Sequence, residues 1–311
     1  SDLTINDIGG LDNLKKWLLK RNNSWSEKAK KYCIPSPKGV LVTGIPGCGK
    51  SLTAKAMSTI WQLPLLRLDL GKIFSGIVGS SEENMRKAIA TVEAVAPSIL
   101  WVDEIEKGLN GVSSSNDSGV SSRIFGTFLT WMQEKTAPVF VIATANNISQ
   151  LPPELLRKGR FDEIFFVDLP TLKEREEIFR VHLLKRLKDK EVCAKIKPDD
   201  EEMIKKLAVM TEGFIGSEIE QVVISALCDA FFESRALEFS DFEKAIANTV
   251  PLSKTQQEQI LAIRDWANIR AVSASSKASV ETYKEIKEEN VAAKKEQQDV
   301  TSSRGGRRLD V

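Results

Sequence analysis

The stretch Gly44-Ile45-Pro46-Gly47-Cys48-Gly49-Lys50-Ser51 decides how the rest of the chain is read. A glycine, four residues, then Gly-Lys-Ser is the pattern in which backbone N–H groups close around phosphate oxygens, because glycines admit the tight turns this requires. Lys50 would bring a compact positive charge to the β- and γ-phosphates of ATP, and the Ser51 hydroxyl is a hard oxygen ligand for Mg2+. The pattern carries weight only between a strand and a helix. Residues 39–43 are a short apolar run that reads as the strand, and residues 51–60, beginning Ser51-Leu52, read as the helix.

Outward from the loop the same alternation continues. Residues 65–68 read as a strand, 71–80 as a turn-rich segment and 81–95 as a helix that Pro97 ends. The apolar runs 98–102 and 138–143 are too short for helices and are bounded by polar residues, as buried parallel strands are. A helix over 120–134 lies between them, and 164–167 reads as the last strand. Upstream, 11–20 has the pattern of an amphipathic helix, followed by a polar connector that ends at Pro35 and Pro37. The order predicts an α/β fold, a doubly wound parallel sheet of the P-loop NTPase type. After Pro170 the pattern becomes purely helical, with helices over 172–187, 200–211, 217–233 and 241–249. Thr171 with Glu174 and Ser240 with Glu243 have the spacing of capping boxes. The expected division is a nucleotide-binding domain over 1–170, a smaller all-α domain over 171–270 and a disordered tail over 271–311, rich in Ser, Lys, Glu and Gln.

Composition narrows the chemistry. In 311 residues, Lys and Arg (44) balance Asp and Glu (43), so no global charge points to nucleic acid or an anionic membrane. Cys33, Cys48, Cys193 and Cys228 show no paired spacing, which speaks against a metal site or disulfide framework. The single histidine, His182, reads as a helix-surface residue. No apolar run approaches the roughly 18–20 residues of a membrane span. Carboxylates, Lys, Asn and Arg must therefore carry the reaction.

Ser98-Ile99-Leu100-Trp101-Val102-Asp103-Glu104 sets two carboxylates at the end of an apolar strand, where open α/β sheets bind ligands. Asp103 would hold Mg2+, and Glu104, one residue further, would polarise the attacking water. An acidic strand end is ordinary by itself; coupled to the 44–51 loop it completes a triphosphate-hydrolysing pair.

These residues resemble the AAA ATPase family, over roughly residues 4–250. Asp7-Ile8-Gly9-Gly10 is similar to the family's opening segment, which implies contact with adenine. Val139 through Asn146, and Leu155-Leu156-Arg157-Lys158-Gly159-Arg160-Phe161-Asp162, resemble its second region of homology. By that resemblance Asn146 helps position the attacking water, and Arg157 and Arg160 are arginine fingers reaching a neighbouring subunit's ATP. Gly213-Phe214-Ile215-Gly216-Ser217-Glu218 resembles the lid-helix motif, which implies that the all-α domain is a lid and that Gly216 and Ser217 lie near adenine and ribose. The implied assembly is a homo-oligomeric ring, a hexamer. Trp101 and the segments 130–138 and 143–163 resemble the branch of the family found in algal plastids and cyanobacteria, implying plastid stroma or cyanobacterial cytoplasm.

The chain departs from substrate-threading members at Ser75-Gly76-Ile77-Val78-Gly79, where a basic residue and an aromatic are expected at positions 76 and 77. Residues 108–118 would form the second pore-facing segment. Two readings follow: a ring ATPase that remodels a protein or nucleoprotein, and a nucleotide-controlled assembly switch with slow turnover and no threading.

Overall fold

The computed structural model describes residues 10–74, 80–107, 118–147, 151, 153–157 and 159–275. The positions assigned to adenine contact (Asp7, Ile8, Gly9), the Ile77 loop, residues 108–117 and the stretch 276–311 lie outside them.

The chain opens with α1 (Asp12–Lys20) and α2 (Glu27–Lys31) and then alternates through β1 (Gly39–Gly44), α3 (Lys50–Trp61), β2 (Leu65–Leu68), α4 (Leu70–Phe74), α5 (Ser80–Ala94), β3 (Ser98–Val102), α6 (Ser118–Glu134), β4 (Val139–Ala145) and β5 (Glu163–Val167). Four longer helices follow: α7 (Leu172–Arg186), α8 (Glu201–Met210), α9 (Gly216–Phe232) and α10 (Phe239–Ala247). The described chain closes with α11 (Leu252–Thr255), α12 (Gln257–Arg270) and β6 (Val272–Ser273).

All six strands pair in parallel in the order β2-β3-β4-β1-β5-β6. The central strands are apolar on both faces because helices cover both. Leu41, Val139, Val141 and Ala143 pack with Met85, Phe125 and Phe128 on one side; Val40, Val42, Phe140 and Ile142 pack with Leu14, Leu18, Met57 and Trp61 on the other. This is the expected doubly wound sheet, and its period-two alternation divides one strand between two cores.

The helical unit has its own core, with Phe179, Leu183, Ile204, Leu207, Val222 and Phe242 at its centre. The expected box opens α7: Glu174 N–H donates to Thr171 Oγ1 (3.3 Å), and Thr171 N–H to Glu174 Oε2 (2.9 Å). The box expected at Ser240 does not form. Instead α10 begins two residues earlier, where Asp241 accepts the Glu238 N–H (2.9 Å) while Arg235 grips its carboxylate at 2.6 and 2.8 Å.

After the helical unit the described chain departs from the division expected at 270 and 271. Helix α12 does not join the helical core: Ile260 is buried among α1, α3 and the sheet, Ile263 and Trp266 pack on the opposite sheet core, and Arg264 Nε reaches Asp168 at 2.9 and 3.0 Å. The start of the supposed tail is the sixth strand, paired with β5, and Ala274 and Ser275 are buried. Their reason is local. Ala274 O accepts the first N–H groups of α1, from Asn13 (2.9 Å) and Leu14 (3.2 Å), while the Asn13 amide donates to Ser273 O and Ser275 O. A stretch of small residues thus serves as the cap of a helix 260 residues away in sequence.

Candidate functional site

The 44–51 loop takes its shape from its glycines at two decisive places. Gly44 has φ 131, and a Cβ there would lie 2.1 Å from the Val167 carbonyl oxygen. Gly49 (φ 85) is the N-cap of α3, where a Cβ would meet nothing within 4 Å, so the loop offers bare backbone to open space. Immediately inside the helix, Lys50 is buried (6% exposed), its Nζ donating to the carbonyls of Gly44 (3.0 Å) and Ile45 (2.7 Å). Burial pushes its ammonium down to about 8, against the opposing pull of Glu106, Asp103 and Glu104. A buried cation whose acceptors are neutral carbonyls is poised for an anion. The neighbouring Cys48 thiol is pushed up to about 12 by its own burial and stays protonated at neutral pH.

The carboxyl ends of β3 and β4 bring the acidic residues to the same place. Asp103 Oδ1 accepts from the hydroxyls of Ser51 (2.9 Å) and Thr144 (2.7 Å), and Thr144 Oγ1 in turn accepts the Glu104 N–H (3.0 Å). Glu104 sits in a left-handed turn (φ 50) that carries its side chain beside β4. There Oε1 accepts from Asn146 Nδ2 (2.9 Å), and Oε2 pairs with Lys107 Nζ. Ser51, Asp103 and Thr144 are clustered hard oxygen donors of the kind Mg2+ prefers, so the residues fit that ion.

These groups line a cleft of about 550 Å³ between the sheet and the helical unit. Residues 46–52, Asp103, Glu104, Thr144 and Asn146 form its sheet side; Gly216 and Ser217 come from the start of α9. The helical unit touches the loop directly, Ser217 N–H donating to the Gly47 carbonyl at 3.2 Å. Gly44 and Ile45 contribute carbonyls beneath the wall and do not line it. Arg157 and Arg160 are not brought into this cleft; Arg157 is exposed, and Arg160 Nη1 turns back to the Glu154 carbonyl.

Several residues of the site escaped the sequence reading. Ile178, Val181 and His182 of α7 and Glu220 of α9 line the cleft. His182 is therefore no surface histidine: burial holds its imidazole below the usual value, and its Nδ1 lies 3.0 Å from Arg186 Nη1 and 3.6 Å from Glu220. The spacing of 178, 181 and 182 marks one face of a helix, a signal that could have placed them together. Thr144 and Glu106 were also passed over; Glu106 accepts the N–H groups of Asn146 (2.8 Å) and Asn147 (3.3 Å).

Comparison with known proteins agrees with this geometry. Residues 40–169 match the model of the ATPase family associated with various cellular activities (AAA). The chain is 52% identical over 263 residues to the AAA domain-containing protein ycf46 of Pyropia yezoensis, covering 84% of this chain and 51% of that protein. It is 49% identical over 272 residues to the ycf46 protein of Guillardia theta, with coverages of 88% and 52%. With the cell division cycle protein 48 homolog of Archaeoglobus fulgidus it shares 32% over 221 residues, 70% of this chain and 29% of the other. The chain spans about half the length of the ycf46 relatives it matches.

Proposed function

The chain belongs to the AAA ATPase family, and from that premise we propose that its cleft binds Mg-ATP and hydrolyses it to ADP and phosphate within a ring of identical subunits. The observation that supports this most is the convergence of the buried Lys50, the Ser51–Asp103–Thr144 cluster and the Glu104–Asn146 pair on one cleft. The loop N–H groups and Lys50 hold the β- and γ-phosphates. Ser51 and Asp103 hold Mg2+, which when bound supplies charge neutralisation on the phosphates. Glu104 accepts a hydrogen bond from the attacking water and withdraws its proton, while Asn146 fixes the carboxylate through Oε1. Gly216 and Ser217 close on adenine and ribose, joined by Asp7, Ile8 and Gly9, and Arg157 and Arg160 complete the neighbouring subunit's site.

Hydrolysis then remodels a protein or nucleoprotein partner, in plastid stroma or cyanobacterial cytoplasm, and the ycf46 relatives in algae support the plastid setting. The second reading, an assembly switch that threads nothing, is favoured by the aliphatic Ile77 at the position where threading members carry an aromatic. Among the described residues no helix is long and apolar enough to cross a membrane. Lys50→Ala tests the core of the proposal: titration with a fluorescent ATP analogue should show binding lost, and unchanged affinity refutes the site.

A further inference from the structure

Glu106 follows the acidic pair by two residues, in the turn that leaves β3, and is 4% exposed. Its Oε1 gathers two backbone N–H groups, those of Asn146 and Asn147 at 2.8 and 3.3 Å, at the point where β4 ends. Its other oxygen, Oε2, is buried with no hydrogen-bond partner among the described residues. Such a carboxylate is expensive: burying a charged group with an unsatisfied oxygen costs several times what an ordinary hydrogen bond returns. An apolar residue would fill the space more cheaply, so the expense points to what Oε1 does. Bonds from N–H to an ionised carboxylate are roughly twice as strong as neutral ones, and two of them converging on one oxygen fix the backbone of adjacent residues together.

The residue fixed is the one whose side chain meets the base. Asn146 Nδ2 donates to Glu104 Oε1 at 2.9 Å, and its direction is set by its backbone. We propose that Glu106 is a positioning residue for hydrolysis: by holding the Asn146–Asn147 backbone it aims the Asn146 amide at Glu104, and through it orients the carboxylate that polarises water. The inference rests on the hydrolytic reading above and adds a third acidic residue to it. Glu106 does not line the cleft. Its effect falls on the rate of the chemical step and not on binding. A misaimed amide of about 1 Å costs on the order of a hundredfold in rate.

The test uses the full chain, with Glu106→Ala, Glu106→Gln, Asn146→Ala and the Glu106→Ala/Asn146→Ala double variant. Steady-state ATPase is measured alongside hydrogen exchange of the Asn146 and Asn147 amides in nucleotide-free protein. Glu106→Ala should lower kcat by about as much as Asn146→Ala, roughly ten- to a hundredfold, with KM within about twofold and the double variant no worse than Asn146→Ala alone. Both amides should exchange faster. Glu106→Gln keeps an acceptor of the same size and should recover most of kcat; it also keeps the question open to measurement if the alanine form does not fold. Wild-type kcat in Glu106→Ala with its amides deprotected overturns the proposal, as do additive losses or a loss in KM equal to that in kcat. Amide exchange unchanged in both variants overturns it as well. If the wild-type chain hydrolyses nothing, the hydrolytic reading fails by itself, while the exchange measurement still reports whether Glu106 holds the Asn146 backbone.

Discussion

The two ends of the β-sheet hold comparable sets of charged groups and put them to different use. At the carboxyl ends stand Lys50, Asp103 and Glu104; at the amino ends stand Lys38, Lys135 and Asp162. Lys50 and Lys135 are both pushed down to about 8, chiefly by burial. Yet Lys38 Nζ is spent on the carbonyls of Gln133 (2.8 Å) and Gly159 (2.9 Å), Lys135 Nζ on Val139 O, and Asp162 Oδ2 on the N–H groups of Lys38 and Gly39 at 2.7 and 2.9 Å. Those side chains bond backbone groups that tie the strand starts together, and Lys135 lines an open depression with Glu93, Thr127 and Trp131; at the carboxyl ends the 46–52 loop, both carboxylates and Asn146 share one cleft of about 550 Å³. A depressed lysine is thus no marker of function; the company it keeps, a bare glycine loop and paired carboxylates on one cleft, is.

The amino end has one group that breaks this symmetry. Arg160 lies two residues before Asp162, away from its own subunit's cleft, and the proposal sends it to a neighbour's. Arg160→Ala should therefore lower ATPase by about three to five decades, the typical contribution of an arginine finger. Mixed with Lys50→Ala chains it should regain activity, since each supplies what the other lacks. If mixed rings form and stay inactive, the amino end is structural throughout. Glu104→Gln comes next, with binding retained and hydrolysis slower by about two to four decades, the size of a lost general base. Near-normal turnover would leave the carboxyl end a binding site only.

A smaller effect comes from pH. Because Lys50 must carry its proton to hold a triphosphate, affinity should fall by up to about tenfold per pH unit above about 8. A flat profile to pH 9.5 would detach Lys50 from the phosphates. In the nucleotide-free protein both buried lysines lose protons at about 8, against 10.5 for an unperturbed lysine, so stability should rise with pH between those values. Lys135→Met should flatten that rise while moving nucleotide affinity by less than about twofold, as distant sites without shared partners do. A large loss of affinity would show that the two ends are coupled.

Most of the sheet was legible because each strand is an apolar run too short for a helix, and the 44–51 loop fixed which end would be used. The expected strands at 39–43, 98–102 and 164–167 lie within a residue of those observed. The return of α12 and β6 was not legible. The two residues of β6 are exposed and have no hydrophobic pattern, and although α12 repeats apolar residues at Ile260, Ile263 and Ala267, nothing in that spacing says which core it returns to. The sheet-side residues of the site stood out through charge and spacing. His182, Glu220 and Glu106 did not, since what gives them meaning is the approach of elements far apart in sequence. The loop facing α9, for instance, lies 170 positions earlier, from Gly47 to Ser217.

Glu174 ties both ends of the described chain to the helical unit. Its carboxylate accepts from Leu11 N–H (3.1 Å), Ser275 Oγ (2.6 Å) and Thr171 N–H (2.9 Å), and Glu177 beside it takes the Gly10 N–H (2.6 Å). The described chain therefore enters and leaves through one doorway, and the doorpost is the first turn of the helical unit. A tug on residues 1–9 or on 276–311 would arrive at the root of the lever whose far arm carries Gly216 and His182 over the cleft. Whatever is tethered to either flank holds the same handle.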